Sequence, residues 1–160
     1  MIKLYKGTKG GLLHYHEAWS ADTTITEHWG KLGESGSTRD HSLTEADDPD
    51  DVLEAVLASA RANGFVELDE DELQPLRIEY RIEGRGNRAE LDKRHALEDR
   101  LNELLGWVGL GQCEGGKIGD GTMAVCCLVV DFELARRLIV ADLAGSAFGD
   151  YSGIFAPRAS

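Results

Sequence analysis

Three histidines near the start of the chain have a spacing that could hold a metal ion. His14 and His16 lie two residues apart in a stretch typical of a β-strand, and His28 lies in the next such stretch. Side chains at positions i and i+2 of a strand point to the same face. If residues 20–22 form the connecting turn, His28 lies opposite His14, and three imidazoles could bind Zn²⁺ with one position open for water. The alternative is a polar, solvent-exposed face that contains histidines.

The same turn predicts an apolar face on the other side of this hairpin. A hairpin with a three-residue loop pairs position 19 with 23 and position 13 with 29, which fixes the side chains that share a face. That face would contain Leu13, Tyr15, Trp19, Ile25 and Trp29.

The stretch from His28 to Glu34, with Gly36 just beyond it, is the strongest local signal in the chain. A strand that ends in Trp29-Gly30 and continues into a glycine-containing turn can hold one large ring at the edge of a sheet, because glycine adopts backbone conformations closed to other residues. The candidate ligand-binding residues are therefore His28, Trp29, Gly30 and Lys31. The alternative is that Trp29 belongs to the core and Lys31 is a solvated turn residue.

No other pattern predicts a catalytic residue or a cofactor. Cys113, Cys126 and Cys127 are an odd number of cysteines without Cys-x-x-Cys spacing, which favours reduced thiols packed as small hydrophobic side chains. The adjacent Cys126 and Cys127 would point to opposite faces of a strand. The Gly-rich segment 115–122 lacks the residue order of a phosphate-binding loop and predicts a hairpin turn. We expect neither enzyme activity nor a cofactor.

Strands joined by predicted hairpins, together with three helical patterns, indicate an α+β protein. Asp48-Pro49 favours the start of a helix and Asn63-Gly64 its end. Asn87 with Glu90 resembles a capping box that opens a second helix, which extends to about residue 105, and Asp131 can cap a third, which extends to about residue 143. The predicted strands are 2–5, 12–19, 23–30, 38–43, 65–68, 76–82, 107–116, 122–130 and 151–155.

The first 68 residues resemble the WGR domain family. The resemblance lies in Trp29-Gly30-Lys31, the following Leu32-Gly33 and Gly36, and a downstream amphipathic helix. It implies a small antiparallel sheet backed by one helix, and in DNA-repair polymerases of the poly(ADP-ribose) type such domains help to recognise broken DNA ends. Lys31 stands where the family has arginine, so a point charge replaces a planar, bidentate guanidinium.

An acidic linker at 69–75 is predicted to separate this domain from a second one at 76–160. The predicted β-α-β-β-α-β order of the second domain is the ferredoxin-like pattern. The segment 104–131 also resembles part of small uncharacterised bacterial α+β proteins, a resemblance that implies no site.

The net charge of −12 is concentrated in the first half of the chain. Residues 1–75 contain 6 Lys or Arg against 16 Asp or Glu, a formal charge of −10. Such a surface repels polyanions and attracts basic proteins, so the charge disfavours nucleic-acid binding without excluding it. The candidate docking residues for a basic partner lie in two acidic runs, which are Asp47, Asp48, Asp50 and Asp51 in the first and Asp69, Glu70, Asp71 and Glu72 in the second.

These observations predict a non-enzymatic, cytoplasmic protein-binding module, for which an immunity or antitoxin-like protein that masks a basic toxin is one concrete form. The alternatives are a nucleic-acid-associated WGR-like module that uses Trp29 and Lys31, and the zinc site at the histidines. No apolar run approaches the roughly 20 residues of a membrane span.

Overall fold

The fold is α+β, with three α-helices and eight strands in two antiparallel sheets among the residues that this computed structural model describes, 1–157. The chain divides into two compact units, the first from Met1 to Glu70 and the second beginning at Asp71. Within the described residues, no helix is both long and apolar enough to cross a membrane.

The first unit is a four-stranded sheet in which each strand pairs with the next one along the chain, with one helix against it. Asp48 caps the helix by accepting a hydrogen bond from the Asp50 backbone N–H at 2.9 Å. Gly64, with φ of +94°, follows the helix end. The predicted strand at 65–68 is only an isolated bridge between Val66 and Tyr5. The elements are β1 (Ile2–Thr8), β2 (Gly11–Ala21), β3 (Thr24–Lys31), β4 (Ser37–Ser42) and α1 (Pro49–Ala62).

The helix covers only one face of this sheet. Apolar side chains recur at helical spacing along α1, and Ile2 and Leu4 lie at alternate positions of β1 on the face that meets the helix, so they pack together as one core. This core contains Leu4, Ala18 and Ile25 of the sheet and Leu53, Leu57 and Ala60 of α1.

The predicted register of the β2–β3 hairpin is wrong by three residues. Ala21 pairs with Thr24, so the turn consists of Asp22 and Thr23 alone, and Asp22 adopts a φ of +51°. Aspartate tolerates this left-handed conformation in tight hairpin turns. A shift by an odd number of residues moves every side chain of one strand to the opposite face relative to its partner. The predicted division into an apolar and a histidine face is therefore also wrong.

The second unit has the order strand, helix, strand, strand, helix, strand, and the order across its antiparallel sheet is second, third, first and fourth strand. The predicted capping box is present, because Asn87 Oδ1 accepts from the Glu90 N–H and Glu90 accepts from the Asn87 N–H. A short 3₁₀ helix at Glu70–Glu72 lies within the predicted linker, whose last two residues begin the first strand of the second unit. The elements are β5 (Gln74–Arg81), α2 (Arg88–Trp107), β6 (Gly111–Gly119), β7 (Thr122–Val129), α3 (Phe132–Leu143) and β8 (Gly153–Phe155).

Helix side chains cover one face of this second sheet. Leu97, Leu101 and Leu105 of α2 are fully buried, and so are Leu76 and Ile78 at alternate positions of β5. This alternation is the one expected of a strand with one face on the core. The ferredoxin-like and WGR-like assignments remain predictions.

Candidate functional site

The three histidines of the predicted zinc site do not come together. His16 is paired with Trp29 and faces the helix side of the first sheet, whereas His28 is paired with Glu17 and faces the opposite side. His14 is exposed and pairs with Lys31. Imidazoles on two faces of one sheet cannot bind a single ion, so the zinc hypothesis at these residues is wrong. Among residues 1–157, no group of three His, Cys, Asp or Glu side chains is placed to hold a metal.

His28 is fully buried within a hydrogen-bond network. Its Nε2–H donates to the Ser35 carbonyl oxygen at 2.6 Å, and its Nδ1 lies 2.8 Å from Glu17 Oε1. A further proton must lie between Nδ1 and this carboxyl oxygen, because neither atom can bond to the other without one. Both ring nitrogens are thus engaged in the fold, and His28 does not reach a ligand at the surface.

Tyr15 extends this network, and its side chain packs so closely against Gly30 and Gly36 that these positions have no room for a Cβ. Its hydroxyl donates to the Glu34 carbonyl at 2.6 Å and lies 3.2 Å from His28 Nε2. A Cβ on Gly30 would lie 2.8 Å from Gly36 Cα, and a Cβ on Gly36 would overlap the Trp29 carbonyl oxygen. The two glycines therefore let the turn fold back over the tyrosine ring. Burial, together with the nearby Glu17 and Glu34 carboxylates, raises the Tyr15 pKa to about 12.

Trp29 lies on the other face, half-buried among polar side chains rather than in the apolar core. Its ring stacks on the His16 imidazole with a centroid distance of 5.7 Å and an interplanar angle of 27°. The Arg39 guanidinium lies 5.2 Å from its ring centroid, close enough for a cation–π contact. Lys31 is exposed at the end of β3. The guanidinium beside Trp29 thus comes from Arg39 of β4 and not from the Trp29-Gly30-Lys31 sequence itself.

A carboxylate bridges two histidines beside this tryptophan. The Nε2–H of His16 donates to Glu27 Oε2 at 2.6 Å, and the Nε2–H of His41 donates to Glu27 Oε1 at 3.0 Å. Burial raises the Glu27 pKa, but the two histidine hydrogen bonds and Arg39 outweigh it, so the pKa lies below its ordinary value. Each histidine contacts a different oxygen, so the cluster does not converge on one metal position.

This cluster forms one wall of an open cavity of about 600 Å³ in the first unit. Strands β2, β3 and β4 supply the polar wall, and α1 supplies a small, mostly apolar wall opposite it. The lining residues are His16, Glu27, Trp29, Arg39 and His41 of the sheet and Ala55, Val56 and Ser59 of α1.

Glu27, Arg39 and His41 were not predicted as site residues. Glutamate in the middle of a strand usually faces solvent, whereas Glu27 is 7% exposed and held by two histidines. The available signal was the position of His41 and Arg39 at alternate positions of one strand, which places both on one face. Only the correct β2–β3 register brings His16 to the same face.

The eight predicted docking carboxylates are all exposed. Asp47 accepts from the Thr44 N–H at 2.7 Å and from its hydroxyl at 3.0 Å, and these bonds lower its pKa. Asp48 is the cap of α1, and Asp50 and Asp51 occupy its first turn. In the part of the chain that the structure describes, no ion pair involves these four residues. The second run, from Asp69 to Glu72, contains the 3₁₀ helix.

Comparisons of this chain with protein-family models, with curated proteins and with solved structures gave no match.

Proposed function

We propose that this chain is a non-enzymatic protein-binding module that uses the acidic surface at the start of α1 to dock a basic protein. The observation that carries the proposal is the run Asp47, Asp48, Asp50 and Asp51, in which four carboxylates are exposed and none forms an ion pair with a cation within residues 1–157. An immunity or antitoxin-like protein that masks a basic toxin is the form of module that we favour.

The charge of the whole first unit supports the same partner chemistry. Residues 1–70 contain 6 Lys or Arg and 14 Asp or Glu, which gives a formal charge of −8. A potential of one sign over a surface steers an oppositely charged partner and raises its association rate by about 10-fold or more at low salt. Exposed carboxylates that form no ion pair within residues 1–157 lose no such pair when a basic partner binds. Their electrostatic attraction to the partner is therefore not reduced by the loss of an earlier contact.

The experiment compares two variants of equal charge. Asp50→Asn with Asp51→Asn removes two carboxylates from the α1 surface, and Glu83→Gln with Glu103→Gln removes two exposed carboxylates from the second unit. Proteins captured from lysate are identified, and association rates of the tightest basic partner are measured at about 0.05 M and about 0.3 M salt.

We expect the α1 variant to associate about 5-fold or more slowly at low salt, the difference to shrink at high salt, and the second-unit variant to match the wild type. Equal rates for both variants, or a partner without a basic surface, would contradict the proposal.

A second candidate is a nucleic-acid-associated WGR-like module, and the position of Arg39 favours it. The guanidinium 5.2 Å from the Trp29 ring supplies the planar cation that Lys31 lacks. Gel shifts with nicked and blunt DNA would test this function, using Trp29→Ala and Arg39→Gln, with Lys9→Gln as the control at another exposed cation. Loss of DNA binding in Trp29→Ala and Arg39→Gln, but not in Lys9→Gln, would support this function. DNA binding that is unchanged in Trp29→Ala would show that Trp29 has no part in it.

A further inference from the structure

Two of the three cysteines form a close pair in the second sheet. Cys113 of β6 lies directly opposite Cys127 of β7, and their sulfur atoms are 3.1 Å apart. Both are free thiols, and one S–H donates to the other sulfur. Cys126 is adjacent to Cys127 in the same strand, so its side chain points to the other face of the sheet.

The backbone around Cys113 suits a covalent bond between these sulfurs. The Cys113 N–H donates to Asn102 Oδ1 at 2.7 Å, so it is not bonded across to β7. The two cysteines are therefore a non-hydrogen-bonded antiparallel pair, in which Cα atoms lie about 4.5 Å apart and side chains are closest. That spacing is within the range of disulfides, about 4.4 to 6.8 Å. A β-bulge between Cys113 and Gly116 interrupts the ladder beside the pair, so β6 can adjust locally.

The two thiols differ in their access to solvent. Cys127 is 2% exposed, whereas Cys113 is partly exposed. The hydrogen bond with Cys113, together with burial, raises the pKa of Cys127 far above its ordinary value. An external reagent therefore meets Cys113 first, and Cys127 reacts second at close range.

We propose that Cys113 and Cys127 are a reversible dithiol–disulfide couple that exchanges with small disulfides. The Cys113 thiolate attacks one sulfur of the external disulfide, forms a mixed disulfide and releases one thiolate. The Cys127 sulfur then gives up its proton and attacks Cys113 Sγ, forming the internal disulfide and releasing the second thiolate. The two protein thiols are oxidised, the external disulfide is reduced to two thiols, and the two protons lost by the protein are taken up by them.

Native wild-type protein is incubated with oxidised glutathione, and its mass and free thiols are then measured after denaturation. We expect a mass lower by two hydrogens, a fall from three free thiols to one, and a 113–127 link in the peptide map. Dithiothreitol should restore all three thiols. Cys126→Ser is the matched control and should form the same link.

The single variants separate the two steps. Cys127→Ser should stop at the Cys113–glutathione adduct, which the wild type passes through only transiently. Cys113→Ser, at the more exposed position, should form neither the adduct nor the link at these residues. Wild-type protein that retains three thiols, a link that involves Cys126, or Cys127→Ser protein that accumulates no adduct although it is folded would overturn the proposal.

Discussion

Replacing Gly36 by alanine should unfold much of the first unit, although Gly36 is an exposed turn residue. Its φ of +65° lies in the left-handed region, where a Cβ costs about 1 kcal/mol. The added Cβ would also overlap the Trp29 carbonyl oxygen and lie 2.6 Å from the Tyr15 hydroxyl. The Trp29 backbone lies on one side of the added Cβ, and the fully buried Tyr15 side chain lies on the other. The turn can therefore move only away from the sheet.

Movement of the turn breaks the two hydrogen bonds that fasten it. These are the bond from the Tyr15 hydroxyl to the Glu34 carbonyl and the bond from His28 Nε2–H to the Ser35 carbonyl, both of 2.6 Å. A buried donor left without its acceptor costs about 1–3 kcal/mol, so the two bonds and the backbone penalty together cost about 3–7 kcal/mol. A unit of this size is stable by only about 4–10 kcal/mol. The melting temperature should fall by about 12 °C or more.

Gly10→Ala is the control, because a Cβ at this turn position meets only the Thr8 hydroxyl at 3.8 Å. Its stability should stay within about 0.5 kcal/mol of the wild type. Urea unfolding is followed by the NMR amide signals of residues 1–70, which report on the first unit alone. If Gly36→Ala lowers the free energy of unfolding by less than about 1 kcal/mol, or by no more than Gly10→Ala does, then Gly36 does not have the structural role in the turn that is described above.

Two further perturbations test the two faces of the same sheet. Tyr15→Phe should destabilise the first unit by about 1–3 kcal/mol through loss of its hydroxyl bonds. Tyr5→Phe, at a buried tyrosine on the same face, should cost less, because within residues 1–157 the Tyr5 hydroxyl forms no hydrogen bond that could be lost. Urea unfolding measures both. The Glu27 pKa is lowered in the folded state, so its stabilisation is complete above its ordinary value of about 4.5 and is lost as the pH falls through the lower folded value. Between about pH 5 and about pH 3, the wild type should therefore lose more stability than Glu27→Gln, and equal losses in urea titrations would contradict this.

Local signals in the sequence were sufficient to locate most elements of the fold. The Asp48-Pro49 start of α1, the Asn87–Glu90 capping box and the alternation along β5 each depend on residues a few positions apart, and each is present in the structure. Such short-range rules need no knowledge of the rest of the chain. The α+β class followed from them.

The candidate site could not be derived in the same way, because it depends on pairing between strands. The choice between a turn at 20–22 and one at Asp22-Thr23 changes the register by three residues. Polar residues occur on both faces of this hairpin, so the pattern did not decide between the two. Glu17 forms a hydrogen bond with His28 on one face of the sheet, and Glu27 forms one with His16 on the other face. Polar side chains that form hydrogen bonds with each other can be buried. The alternation of apolar and polar residues along a strand then no longer shows which face is buried.

The pairing of the strands also determines the order in which the protein can fold during its synthesis. Strands β1 to β4 pair only with each other among the described residues, so the first sheet can close once residue 70 has left the ribosome. The second sheet differs, because β5 pairs with β8, and Gly153–Phe155 is synthesised more than seventy residues later. Until then, the outer edge of β5 is open to incorrect pairing. Ribosome stalling near residue 120 should therefore leave a folded first unit and an aggregation-prone second one.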